Sequence, residues 1–134
     1  MVSKSLKKIF LFTLLLIYLH GIEEVMGGFP QIDSFMQLGG SYFKITPEQF
    51  YWVSHILWWV LIPIMYIFFQ KKKFAIFLFS FFGLFFFVEL HHIVRAILLR
   101  GYYPGVLTAI AYSVIGVVYW RELINDWKKN YVRD

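Results

Sequence analysis

Ionisable side chains interrupt a long apolar segment near the start of the chain. His20, Glu23 and Glu24 lie within residues 9–26, which are otherwise almost wholly apolar and long enough to cross a membrane. A charged side chain inside a bilayer costs roughly 3 kcal/mol or more unless it is paired, bound to a metal or in contact with water. The three residues are therefore candidates for a functional site.

A second group of the same residue types lies in a later apolar segment. Glu89 and His92 are three residues apart, and His20 and Glu23 have the same spacing in reverse order. Residues three apart share a helix face, and Glu-x-x-His is the spacing by which helical bundles present a carboxylate and an imidazole to one metal ion. Glu24, four residues after His20, shares that face too. The pattern predicts a cluster of histidines and carboxylates shared between helices.

Four apolar segments have to position these side chains. We predict an all-α membrane protein, a four-helix transmembrane bundle that forms one domain, because only helices satisfy their own backbone hydrogen bonds in lipid at these lengths. An external loop is predicted at residues 27–45. The predicted helices cover about residues 5–26, 47–70, 74–99 and 104–126.

Short patterns refine the loop and the start of the second helix. Ile32, Phe35 and Met36 follow the i, i+3, i+4 pattern, so either a short amphipathic helix or a plain loop fits this segment. Thr46 and Gln49 have the spacing of a capping box, in which each side chain accepts a hydrogen bond from the other residue's backbone N–H. A helix is therefore predicted to begin immediately after Thr46.

The composition and the distribution of charge fit a multi-pass membrane protein. The chain is 60% hydrophobic and 16% charged, and ten of its thirteen Lys and Arg lie at the N-terminus, at residues 71–73 and in the C-terminal tail. These regions fall on one side of a four-helix topology, which predicts both termini in the cytoplasm and a location in the plasma membrane. The basic residues form no patch for nucleic acid. A cleavable signal peptide is the alternative interpretation of the first segment, although no cleavage site of the Ala-x-Ala type, with small residues at both positions, follows it.

Depth along the predicted helices brings the candidates into one layer. At about 1.5 Å per residue, Glu23 and His55 lie roughly 21 Å, and Glu89 roughly 22 Å, from the inner edge of the bilayer. His20 lies about one turn deeper and His92 about one turn shallower. The layer is in the outer half of the membrane. For a lone histidine such as His55, a hydrogen bond between helices is the alternative explanation.

The chain has no cysteine, so nitrogen and oxygen atoms must supply any metal ligands. We predict a divalent ion, Zn, Fe or Mn, with Glu24 beside it as general base. Tyr102, Tyr103 and Arg95 are predicted to bind an anionic or carbonyl-bearing headgroup of the substrate at the outer mouth of the site. The predicted metal ligands are His20, Glu23, His55, Glu89 and His92, with His91 and Thr108 flanking them.

These features favour a membrane-embedded, metal-dependent enzyme that acts on a lipid-soluble substrate, with hydrolysis preferred over oxidation. One alternative is a metal-free acid/base enzyme such as an isomerase, with Glu23 and Glu89 moving a proton. Another is a non-catalytic transporter, immunity protein or interaction protein, in which the cluster serves as a relay or joins helices. Transport would require an oligomer, because the chain is small. The bilayer and a lipid-soluble small molecule are the expected partners.

Two short motifs resemble those of a known family. His20-Gly21-Ile22-Glu23-Glu24 reads HXXEE, and Tyr102-Tyr103-Pro104-Gly105 reads YXPG. With a histidine between them, either His91 or His92, they resemble the HXXEE family of small membrane proteins. The function of that family is not known, so the resemblance supports the position of the site and implies no reaction.

Overall fold

The computed structural model describes residues 2–69 and 75–131 of the chain. These residues form eight helices joined by short turns, and no strand occurs among them, which confirms the all-α prediction for this part of the chain. The helices are α1 (Lys4–Met26), α2 (Phe29–Ile32), α3 (Ser34–Phe43), α4 (Pro47–Phe69), α5 (Ala75–Gly83), α6 (Phe85–Val88), α7 (Leu90–Leu99) and α8 (Val106–Tyr131).

Four spans are long and apolar enough to cross a membrane, which indicates a multi-pass membrane protein. Large apolar side chains such as Phe12, Ile67 and Val117 are exposed on the outside of the bundle, where lipid would cover them. The predicted basic turn at residues 71–73 lies outside the described residues, as do the adjoining predicted helix ends. The four spans are Lys4–Met26, Pro47–Phe68, Ala75–Leu99 and Val106–Asn130.

The third span, α5 to α7, is not a regular helix. It is interrupted at Leu84 and again at Glu89, where the Leu84 N–H donates to the Phe81 carbonyl (3.1 Å) and the His92 N–H donates to the Glu89 carbonyl (3.2 Å). Both bonds join residues three apart, as in a 3₁₀ helix, in which the side chains at i and i+3 eclipse each other. The tighter turn therefore aligns Glu89 and His92 on one face.

The predicted external loop contains two helices, α2 and α3. Asp33 lies between them and caps α3, because its Oδ1 accepts the backbone N–H groups of Phe35 (2.9 Å) and Met36 (3.1 Å). The capping box at the start of α4 is confirmed: the Thr46 N–H donates to Gln49 Oε1 (2.9 Å) and the Gln49 N–H donates to Thr46 Oγ1 (3.1 Å). These contacts fix where α3 and α4 begin.

The helices enclose a core at one end of the bundle and leave a space at the other. α1 packs along α8, and the third span packs on α8 as well. Between them lie fully buried side chains such as Leu6, Phe79 and Tyr119, whose hydroxyl donates to the Phe79 carbonyl (2.6 Å). α4 packs against α1, α2 and α3 and contacts the third span through the rings of Trp58 and Phe85, whose centroids are 5.2 Å apart.

Candidate metal centre

Three histidines and two glutamates from three spans meet beside this space. His20 Nε2 lies 2.8 Å and His92 Nε2 lies 3.4 Å from Glu89 Oε2. The same two nitrogens lie 3.5 Å and 3.4 Å from Glu24 Oε1, while Glu24 Oε2 is 3.2 Å from His55 Nε2. His92, Glu24 and His20 are buried, at 1%, 2% and 5% exposure, whereas Glu89 and His55 are partly exposed. We call these five residues the His/Glu cluster.

The other ring nitrogen of each histidine has an acceptor outside the His/Glu cluster. His92 Nδ1 lies 2.6 Å from the Pro104 carbonyl oxygen, and His55 Nδ1 lies 2.9 Å from the Tyr51 carbonyl oxygen. A carbonyl oxygen only accepts, so both Nδ1 atoms carry a proton and donate it. In the neutral imidazole, Nε2 then presents a lone pair to the carboxylates.

His20 is held in the same way through a hydroxyl group. Its Nδ1 lies 2.6 Å from Thr108 Oγ1, and the Thr108 hydroxyl donates to Glu23 Oε2 (2.6 Å) or to the Gly105 carbonyl (3.1 Å). The single hydroxyl proton goes to one of these two acceptors, so Thr108 accepts from His20 in either case. All three histidines of the cluster therefore direct Nε2 at the carboxylates, where it either carries a second proton and pairs with them or offers its lone pair to a metal ion.

The inward geometry fits a metal ion. Glu89 Oε2 is buried and has no hydrogen-bond partner among the described residues, although His20 Nε2 is only 2.8 Å away. A metal ion bound between them would give this oxygen a partner. One ligand atom each from His20, Glu89 and His92 lies within 4.8 Å of the other two. Two imidazoles and one carboxylate bind Zn in hydrolases and Fe(II) in oxygenases.

Glu23, predicted as a metal ligand, contacts the start of α8 instead of the His/Glu cluster. Its carboxylate accepts the backbone N–H groups of Leu107 (3.0 Å) and Thr108 (2.9 Å) and the hydroxyl of Tyr102 (3.2 Å). A carboxylate at a helix N-terminus satisfies free N–H groups and complements the helix dipole. The adjacent Glu24 occupies the place in the cluster that was predicted for Glu23.

Replacing Glu23 by Ala is expected to destabilise the protein by about 1–2 kcal/mol, because the Leu107 and Thr108 N–H groups lose their acceptor. Unfolding with sodium dodecyl sulfate in mixed micelles measures this change. Glu48, an acidic residue in the first turn of α4 that is exposed, is the control, and Glu48→Ala is expected to change stability by less than about 0.5 kcal/mol. A Glu23 variant of unchanged stability that loses bound metal would show that Glu23 is a ligand after all.

The two tyrosines predicted to bind substrate are engaged elsewhere. Tyr102 donates to Glu23, and the hydroxyl of Tyr103 donates to Asp33 Oδ2 (3.0 Å). Burial and the hydrogen bond to Asp33 raise the pKa of Tyr103 to about 12, so its hydroxyl remains a donor throughout the physiological range. Neither tyrosine lines the cavity beside the His/Glu cluster, whereas Arg95 does.

His91 lies next to the His/Glu cluster without joining it. Its ring centroid is 3.9 Å from that of His92, and its Nδ1 is 2.9 Å from the Val88 carbonyl oxygen. The Nδ1 atom therefore donates backward along its own helix, and the ring lines the cavity. Of the two adjacent histidines, His92 is the one that the structure brings to Glu24 and Glu89.

Sequence reasoning missed Tyr51. Its hydroxyl donates to Glu24 Oε2 (2.9 Å), and its ring stacks on that of His55 with 3.7 Å between centroids. It is fully buried, so this hydrogen bond replaces the water that Glu24 has lost. The spacing of four residues between Tyr51 and His55 is the signal by which the sequence could have shown it.

The YXPG motif shapes the cluster through its last two residues. The Pro104 carbonyl accepts from His92, and Gly105 has a backbone φ of 88°. A Cβ atom at Gly105 would lie 2.6 Å from His92 Nδ1 and 2.8 Å from His20 Cε1, which is too close for a real contact. Glycine at this position lets both imidazole rings approach the turn.

A cavity of about 710 Å³ opens beside the His/Glu cluster, between α3, α4 and the third span. Cavities of this size hold a small organic ligand. Most of the surface of the cavity wall is apolar. The polar side chains belong to the His/Glu cluster, to residues adjacent to it in sequence, and to Asp33, Ser34 and Arg95. The lining includes Phe29, Phe35, Met36, Leu38, Trp58, Phe85 and Val88 among the apolar residues and Asp33, Ser34, Ser54, His91 and Arg95 among the polar ones.

Comparison with known protein families gives a match. The family model described as a protein of unknown function with HXXEE motif matches residues 11–120. No match was found among curated proteins or among solved structures. The matched range contains every residue of the His/Glu cluster and the Pro104-Gly105 turn that lies against it.

Proposed function

Since the chain belongs to the HXXEE family, whose function is unknown, we propose a function from its site: a membrane-embedded, metal-dependent hydrolase of a lipid-soluble substrate. One observation carries this proposal. Three histidines donate from Nδ1 to acceptors outside the cluster and turn Nε2 toward two carboxylates. This is how histidine ligands are oriented around metal ions in proteins. The Lys and Arg distribution supports cytoplasmic termini and hence a site in the outer half of the plasma membrane.

His20, Glu89 and His92 would hold the ion, leaving coordination positions open, as catalytic sites do. A divalent ion there, Zn, Fe or Mn, would polarise a substrate carbonyl and make water more acidic. Glu24 has one oxygen fixed, because Oε2 accepts from Tyr51 and lies beside His55. Its other oxygen, Oε1, faces the ligand histidines at 3.4–3.5 Å.

Glu24 would act as the general base through Oε1. It would take a proton from the attacking water and return it to the leaving group when the acyl bond breaks. Tyr51 and His55 would keep the carboxylate in position during both transfers. A carboxylate free to serve as base favours hydrolysis over oxidation, because the attack of water on a carbonyl requires such a base.

Replacing Glu24 by Gln tests this proposal. The variant is expected to retain close to one metal ion per chain but to hydrolyse an acyl-ester amphiphile about 10²- to 10⁴-fold more slowly, because the base is lost while the ligands remain. Metal analysis of detergent-purified protein and initial rates in micelles measure the two quantities. Glu48→Gln is the control and should match the wild type in both. A wild-type protein without metal, or a Glu24→Gln variant with full activity, would refute the proposal.

A further inference from the structure

Arg95 supplies a positive charge to the cavity with no negative partner. It forms no ion pair with a carboxylate within residues 2–69 and 75–131. Asp33, an acid of the cavity lining outside the His/Glu cluster, has two oxygens that already accept from two backbone N–H groups and from Tyr103. Arg95 is exposed near the outer end of the third span and stays charged, so an anionic group bound in the cavity would pair with it.

The cavity is ordered along the bundle axis. Arg95 lies about 9 Å from Glu89 along the third span, toward the C-terminal end of α7. In the opposite direction, Phe85 lies about 6 Å from Glu89, and Trp58 about 4.5 Å from His55. The rings of Trp58 and Phe85 meet edge to face at 5.2 Å. Along the cavity, the cation Arg95 is therefore followed by the His/Glu cluster and then by the apolar end formed by Trp58 and Phe85.

The cavity also reaches the outer, apolar surface of the bundle. Three of its lining residues are largely exposed there: Phe35 (64%), Leu38 (69%) and Val88 (58%). Phe35 and Leu38 come from α3 and Val88 comes from α6. Because Val88 belongs to a candidate membrane span, lipid would surround this part of the opening. A molecule dissolved in the bilayer can reach the cavity without crossing water.

From this order we propose that the substrate is an acyl amphiphile with an anionic headgroup. The inference rests on the proposed function and names its substrate class. The anionic group binds Arg95, the acyl carbonyl lies at the His/Glu cluster, and the chain extends toward Trp58 and Phe85. In the reaction, the oxygen of water bonds to the acyl carbon and the bond from that carbon to the headgroup oxygen breaks. The proton taken by Glu24 passes to that oxygen, so the products are a fatty acid and a free headgroup alcohol.

The ligand class can be tested by binding without turnover. Ether-linked alkyl glycerols with a dibrominated chain cannot be hydrolysed, and bromine quenches the fluorescence of a nearby tryptophan. We compare three headgroups: phosphate, phosphocholine and the uncharged glycerol. The phosphate probe is expected to bind about tenfold more tightly than the other two, because it forms charge-assisted hydrogen bonds with Arg95. Equal affinity for the three probes would overturn the proposal.

Variants locate the two ends of the ligand. Arg95→Gln is expected to weaken phosphate-probe binding about tenfold and to leave the glycerol probe unchanged, while Arg95→Lys keeps most of the preference. Arg100, an exposed arginine that follows the same helix and does not line the cavity, is the matched control, and Arg100→Gln should match the wild type. Trp58→Phe is expected to remove most of the quenching. Full quenching in that variant, or equal losses for Arg95→Gln and Arg100→Gln, would contradict the assignment.

Two further measurements separate related explanations. Inorganic phosphate is expected to compete with the phosphate probe only at millimolar concentration or above, since the chain contributes much of the affinity; competition at micromolar phosphate would show a free-anion site instead. The binding assay needs neither metal nor turnover. If the purified protein lacks metal but prefers the phosphate headgroup, the ligand class is supported and the proposed hydrolase is refuted. If the protein contains metal and hydrolyses esters in a Glu24-dependent way without headgroup preference, the hydrolase is supported and the ligand class is refuted.

Discussion

Replacing His92 by Ala is expected to lower the metal content of the purified protein from about one ion per chain to below about 0.1, because only two of the three ligands are left. The loss follows from the geometry of the third span, where the 3₁₀-like turn holds Glu89 and His92 on one face. With one ligand missing, metal affinity should fall by more than about 100-fold, beyond the effect of losing a residue that only supports a ligand.

His91 provides a matched control for that experiment. It is adjacent in sequence, has the same side chain and lines the same cavity, yet its Nδ1 donates to the Val88 carbonyl and its ring lies outside the His/Glu cluster. His91→Ala should therefore retain the ion. Metal analysis of both variants, purified in the same detergent, decides the matter. Loss of metal in His91→Ala together with its retention in His92→Ala would show that the other histidine is the ligand.

Gly105→Ala is expected to have the largest effect on stability, a loss of about 2–5 kcal/mol. The backbone φ of 88° disfavours any residue with a Cβ by about 1–2 kcal/mol, and forcing an atom into packed space costs about 1–3 kcal/mol more. The added methyl group would displace His92 or His20, since its Cβ would lie 2.6 Å and 2.8 Å from atoms of those rings. We therefore also expect the metal content to decrease.

Gly101→Ala is the control, because a Cβ there meets only the Leu99 carbonyl oxygen, at 3.8 Å. Unfolding with sodium dodecyl sulfate and metal analysis, applied to both variants, separate the two positions. If Gly105→Ala were as stable as Gly101→Ala and equally rich in metal, the imidazole rings would not depend on the close approach of this turn.

The positions of Pro104-Gly105 and Glu23 explain how widely separated motifs act on one site. The turn before α8 accepts from His92, and the first N–H groups of α8 bind Glu23, one residue before the cluster member Glu24. Thr108 then connects Glu23 with His20. The start of α8 thus contacts Nδ1 of both His20 and His92, the two histidines proposed as ligands, and a change in this turn affects both.

The sequence alone determined the features that depend on local physics. The length of the apolar runs predicted four spanning helices, because backbone groups must be paired within each segment in lipid. The capping box at Thr46 and Gln49 was predicted because its partners are only three residues apart. The regions that form the site were predicted as well, since ionisable side chains are costly wherever an apolar run would bury them.

Only the tertiary structure decided which of two adjacent ionisable residues belongs to the His/Glu cluster. Neighbours in a helix point about 100° apart, so Glu23 and Glu24, or His91 and His92, face different surroundings. Spacing shows which residues share a face, but the packing of α1 against α8 determines that Glu23 meets free N–H groups and Glu24 meets histidines. The hydroxyl groups of Tyr102 and Tyr103 likewise contact carboxylates that are distant in the sequence, those of Glu23 and Asp33. Such choices depend on contacts between segments far apart in the chain, which no local pattern specifies.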